Sequence, residues 1–141
     1  MFCAEPTWRA MTDPERVAID LTDEERELMV LALNEYAGTA QHTYRLLGSV
    51  LGQSDQHQWF RLVGRLESAI DNKEPLSDLD WARAMFLTDI SFGSTLVGSG
   101  LRFGRSADEY WFPILRSLQE KVSSRERFDL LVQNARYSCG E

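Results

Sequence analysis

The sequence predicts an all-α domain, a single compact bundle of about six helices whose most apolar member lies at the centre, near residues 78–97. Three observations carry that prediction. Five helix-capping signatures each stand in front of an apolar stripe at helical spacing. No stretch offers a credible pair of strands with sustained period-two alternation. A chain of 141 residues, 43% hydrophobic and 26% charged, has the length of one domain and enough apolar material for one core.

Residues 1–21 read as a loosely structured lead-in to a domain spanning 22–141. Asp13-Pro14 suits the opening of a single helical turn. Residues 16–21 permit a short strand with no partner nearby, and Trp8 is the side chain expected to pack onto the body. The first helix is better marked. Thr22-Asp23-Glu24-Glu25 is a capping box, in which the hydroxyl accepts one orphan N–H and Glu25 reaches back for another. Its acids also complement the positive end of the helix dipole. The apolar run over 28–33, and then Tyr36, continues to Gly38, which is expected to supply a left-handed stop.

A second helix is predicted over residues 40–51, with Tyr44, Leu47 and Leu51 on one stripe and Gly52 closing it. Asp55 with Gln58 caps a third, bearing Trp59, Leu62, Val63, Leu66, Ala69 and Ile70. The chain breaks at Asn72-Lys73-Glu74-Pro75. Ser77 then opens the central helix, where Leu79, Ala82, Met85, Phe86, Ile90 and Phe92 leave few faces for water. It fades across Gly93, Gly98 and Gly100. Ser106 with Glu109 caps a fifth helix, kinked or restarted at Pro113, and Ser123 with Glu126 caps a sixth.

Fifteen basic residues against 22 acidic ones give a net charge of −7, and residues 1–35 hold nine acids against three bases. That balance disfavours a nucleic-acid partner, whose phosphates need a basic footprint. It favours long-range attraction of a basic protein to the amino-terminal third. No apolar run reaches the ~18 residues of a membrane span, and the start lacks the charged and apolar regions of a signal peptide. Cys3 and Cys139, at opposite ends, read as reduced thiols. The expectation is a cytoplasmic protein without membrane contact.

Sites for chemistry are scarce. The segment from Gly93 to Gly100 has Ser99 where a phosphate loop needs lysine, and Phe103 where a dinucleotide fingerprint needs glycine. It reads as a helix end and a tight turn. His42 and His57 are the only histidines, without the spacing that puts two metal ligands on one helix face. No catalytic residue, metal or cofactor is predicted. Asp89, inside the apolar helix, is the carboxylate of interest, because a buried charge must be paired or neutralised. Arg61, Arg65 and Arg83 are its candidate partners.

The segment Glu35-Tyr36-Ala37-Gly38-Thr39-Ala40-Gln41-His42-Thr43-Tyr44-Arg45-Leu46-Leu47 resembles the helix-turn-helix that opens lactose-repressor-type regulators. That resemblance implies Gln41, His42 and Arg45 in a major groove and Thr43 on the DNA backbone. The acids preceding the turn (Asp23, Glu24, Glu25 and Glu27) depart from it, since they would face phosphate. Residues 80–89, with Val97-Gly98-Ser99-Gly100, are similar to small acidic helical proteins of actinobacteria to which no activity is attached.

The function expected is therefore non-enzymatic protein–protein binding, of the immunity-protein, antitoxin or adaptor type. Asp23, Glu24 and Glu27 would steer association, while Tyr36 and Tyr110 would anchor it. Trp111 is read as core. A DNA-binding regulator using Gln41, His42, Thr43 and Arg45 is the alternative. A small-ligand or enzymatic site centred on Asp89 is the second.

Overall fold

The computed structural model describes residues 14–38, 40–98 and 100–135, the side chains of 100–107 excepted. In chain order its elements are β1 (Arg16–Val17), α1 (Asp23–Asn34), α2 (Tyr44–Leu47), α3 (Gln56–Asp71), β2 (Leu76–Ser77), α4 (Asp78–Gly93), α5 (Gly100–Val122) and α6 (Arg125–Asn134). Turns of 3-10 helix follow α1 at Glu35–Ala37 and precede α2 at Gln41–Thr43. The fold is all-α, as its capping pattern and periodicity predict. No described helix is long and apolar enough to cross a membrane. Trp8, Cys3 and Cys139 lie outside the described residues.

Local capping chemistry sets most helix starts. Thr22 Oγ1 accepts the Glu25 N–H at 3.1 Å, and Glu25 Oε1 accepts the Thr22 N–H at 2.8 Å, completing the box. Asp55 accepts from Gln58 N–H at 2.8 Å and Ser77 from Asp80 N–H at 3.1 Å. In α6 the cap is Ser124, one residue later than expected, bonded to Arg127 N–H at 3.1 Å. Ser123 is not available for that role because its own N–H still closes α5 on Gln119 O at 2.8 Å. Ser106 is interior to α5, which runs unbroken through Pro113. Beyond the proline, Leu115, Leu118 and Val122 are buried, and that packing outweighs the lost backbone bond.

Four expectations give way. The predicted helix over 40–51 is a 3-10 turn followed by the four-residue α2. Gly38 is not left-handed (φ −122°); α1 closes through a 3-10 turn in which the Gly38 and Ala40 N–H groups both reach Glu35 O, at 3.0 and 2.8 Å. Among the described residues the left-handed glycine is Gly52, at φ 73°. Pro14 opens no helix: residues 14 and 15 form no helical turn before β1. Residues 16–21, read as part of a loose lead-in, are tied to the body. Arg16 and Val17 pair antiparallel with Ser77 and Leu76, Val17 O accepts the Trp81 indole N–H at 2.8 Å, and Leu21 is buried.

α4 is the central helix. It packs against α1, α5 and α6, and buries Trp81, Ala84, Met85, Leu87, Thr88 and Ser91 around most of its circumference. It ends at Gly93 rather than near 97, giving way to bends over 94–98. Beside it, α1 and α3 contribute Leu28, Met29, Leu33, Trp59, Leu66 and Ile70.

Candidate functional site

Helical period divides the acids of α1. Asp23, Glu24 and Glu27 point to solvent, and Leu31 stands 42% exposed on the same outer face. Glu25 turns inward and is 2% exposed. Its Oε1 accepts from Lys121 Nζ at 2.7 Å and its Oε2 from the Ser117 hydroxyl at 2.6 Å. Burial works to raise its pKa, but these bonds, the Thr22 N–H and the Lys121 charge together hold it below the usual carboxylate range. The first helix thus carries an acidic face outside and a hydrogen-bonded carboxylate inside.

The two expected aromatic anchors separate. Tyr36 is a correction: it is fully buried, edge-on to Trp59 with ring centroids 5.9 Å apart, and donates its hydroxyl to Leu87 O at 2.5 Å. Burial, followed by the nearby Asp89 charge, pushes its pKa well above the ordinary phenol value. Tyr110 is 55% exposed and stacks edge-on against Trp111, which is partly buried on the core as expected. Phe112 is exposed as well, and so are Phe128 and Val132, whose helical spacing with Leu131 and Ala135 marks them in the sequence as the apolar side of α6.

The segment resembling a helix-turn-helix lacks the continuous second helix such a motif needs. Thr43 is buried and donates to Val97 O at 2.6 Å, so its hydroxyl is not offered to a backbone phosphate. His42 Nε2 lies 3.2 Å from Leu96 O, while Gln41 and Arg45 are at the surface. These bonds fasten the glycine-rich segment to the α1–α2 connection. Within that segment Ser94 Oγ already accepts from the Leu96 and Val97 N–H groups, at 3.2 and 3.0 Å. A Cβ on Gly98 would sit 2.1 Å from Ile90 O, so glycine is needed there for close packing on α4.

Asp89 pairs with none of the three arginines expected. Its Oδ1 accepts from Gln119 Nε2 at 2.8 Å. Burial raises its pKa, against the Gln119 bond and the Arg116 charge. It borders a hollow of about 180 Å³ between α4 and α6, together with Met85, Phe86, Arg127, Phe128 and Leu131. Arg127 is held by Asp78, with Nη2–Oδ1 at 2.9 Å, and by Val122 O at 3.0 Å. Asp89 and Arg127 therefore share a wall without converging on a common point. Among the described residues no group of His, Cys, Asp and Glu is placed to hold a metal ion.

Asp80 gathers the arginines instead. Arg65 grips it with Nη1–Oδ2 at 2.6 Å and Nη2–Oδ1 at 3.3 Å, and Arg83 reaches Oδ1 at 3.0 Å. Burial works to raise the Asp80 pKa, but the bonds and charges of Arg65 and Arg83 lower it below the usual range. The sequence signal was present: Asp80 and Arg83 are three residues apart on one helix face, whereas Asp80 and Asp89, nine apart, fall about 180° from each other. Comparison of the chain with protein-family models, curated proteins and solved structures finds no match.

Proposed function

We propose that this chain acts by binding a second, basic protein, in the manner of an immunity protein, antitoxin or adaptor, and not by catalysis. The observation that carries this reading is the outer surface of α6. None of its residues is buried, and Phe128 and Val132, one turn apart, are 57% and 42% exposed. α6 rests on α4 through Leu131 and the Arg127–Asp78 bridge, yet turns this apolar ridge to water. Apolar surface of that kind is where a partner gains most from exclusion of water, and aromatic side chains dominate such contacts.

The acidic face of α1 adds the choice of partner. Asp23, Glu24 and Glu27, in a chain of net charge −7, attract a cationic protein over about 8–10 Å at ordinary ionic strength. Such charges act mainly on the encounter rate, while buried apolar contacts set the lifetime of the complex.

The test is affinity capture from the source cell, followed by binding kinetics with the purified partner. Phe128→Ala with Val132→Ala is expected to speed dissociation. Asp23→Asn with Glu24→Gln and Glu27→Gln is expected to slow association and flatten its salt dependence. Saturable binding indifferent to both variant sets, or no saturable protein partner at all, refutes the reading.

A further inference from the structure

We infer that the hollow between α4 and α6 receives one basic side chain, a lysine or an arginine, of the protein that docks on α6, with Asp89 as its counter-ion. The inference rests on the reading of α6 as a partner-binding surface and names what that surface grips.

Size selects a side chain. The hollow measures about 180 Å³, below the ~300–1,000 Å³ of small-molecule sites. Phe128 is one of its walls and also forms part of the exposed ridge on α6. A partner that covers the ridge therefore covers the hollow.

The walls suit a long aliphatic stem. Ala82, Met85 and Asp89 follow one another at three- and four-residue steps along α4, with Phe86 beside them. That stripe is apolar except for its one carboxylate, and Phe128 and Leu131 add further apolar wall from α6. Lysine and arginine bury stems of this kind while keeping a charge at the tip.

Charge selects the tip. Asp89 forms no ion pair with a described residue. Its one hydrogen bond comes from Gln119 Nε2 to Oδ1, at 2.8 Å, and Oδ2 takes no donor among the described residues. Arg116 bonds Gln119 Oε1 at 3.0 Å and lies 4.8 Å from the centre of the Phe112 ring, so it is linked to Asp89 only through the Gln119 amide. Arg127, the cation bordering the hollow, is already engaged. It donates Nε and Nη2 to Asp78 Oδ1, at 3.1 and 2.9 Å, and Nη1 to Val122 O at 3.0 Å. Asp78 precedes Asp89 by about 16 Å along the axis of α4. Burial accordingly raises the Asp89 pKa. An entering ammonium or guanidinium supplies the missing positive charge, whereas a neutral side chain would leave a carboxylate covered and unpaired.

Two measurements test this. In the first, the full chain is titrated at constant ionic strength with n-butylammonium, n-butylguanidinium or butyrate, and the Met85 methyl signal is followed by NMR. Saturable shifts are expected with both cations, and none with butyrate or in Asp89→Asn. In the second, the protein captured through α6 is dissociated from each variant. Asp89→Asn should speed its release about tenfold or more, the effect of one charge-assisted hydrogen bond, without lowering the thermal midpoint of the free chain. Glu126→Gln, an exposed acid on α6, should release it as the wild type does. No shift with either cation, an equal shift with butyrate, unchanged release from Asp89→Asn, or equal acceleration by Glu126→Gln would each overturn the assignment. If Phe128→Ala with Val132→Ala speeds release and Asp89→Asn does not, the α6 reading stands and this inference falls. Cation binding with no captured protein overturns the α6 reading, and this inference with it.

Discussion

Replacing Glu25 with alanine is expected to lower stability by about 3 kcal/mol. The carboxylate joins the start of α1 to the end of α5, accepting from Thr22 N–H at 2.8 Å, Lys121 Nζ at 2.7 Å and Ser117 Oγ at 2.6 Å. Loss of the reciprocal half of the capping box accounts for about 1 kcal/mol. Breaking a fully buried pair costs about 3–5 kcal/mol. Here the Lys121 side chain keeps 35% of its exposure, so water recovers part of that and about 2 kcal/mol is assigned to the pair. For a chain of this length each kcal/mol moves the thermal midpoint by about 3–4 °C, which makes the expected drop about 10 °C.

Urea denaturation and thermal melting at neutral pH measure both quantities. Glu25→Gln retains an acceptor for Thr22 N–H and should lose about half as much. A double-mutant cycle with Lys121→Met isolates the charge pair, with an expected coupling of about 1–2 kcal/mol. Since Glu25 titrates low in the folded state, its contribution is complete above the unfolded value near ~4.3 and is lost as pH falls through the folded value. The gap between wild type and Glu25→Gln should therefore close on acidification. A cost below about 1 kcal/mol for Glu25→Ala, or zero coupling to Lys121, would show that the residue is only a cap and that the reasoning is wrong.

Asp80→Asn should cost about 2–3 kcal/mol in urea, because it breaks the Arg83–Asp80 ion pair, in which both side chains are 11% exposed; its effect should also fade at acid pH, the folded carboxylate being held low. Asp89 has the opposite sign. Burial raises its folded pKa, so its contribution is present at low pH and lost as pH rises through that value. Asp89→Asn, which can keep the Gln119 bond, should be neutral or stabilising by up to about 1 kcal/mol at neutral pH; a clear loss in urea would show that burial does not disfavour the Asp89 charge. Gly52→Ala should cost about 1–3 kcal/mol, from a left-handed backbone and a Cβ placed 2.4 Å from Asn134 Nδ2. Hydrogen exchange should then quicken in α6 but not in α3, and uniform behaviour of the two helices would rule out that contact.

The chemistry that starts a helix acts within three or four residues, so α1, α3 and α4 were legible from Thr22, Asp55 and Ser77 alone. So was the stripe of α3 that enters the core. The β1–β2 pair was not, because Arg16 and Ser77 meet across some sixty residues and two-residue strands leave no periodicity to read. The same limit applies to Tyr36. An aromatic at helical spacing looks identical whether it anchors a partner or, as here, bonds to Leu87 O inside the bundle.

Composition and local pattern by themselves determined the helical class, the acidic outer face of α1 and the apolar character of α4. Only tertiary packing decided that Glu25 meets Lys121, that Arg65 and Arg83 close on Asp80, and that Asp89 faces Gln119. The physical reason is range. Caps and periodicity are settled by neighbours along the chain, whereas the partner of a buried charge depends on how two distant helix faces turn toward each other.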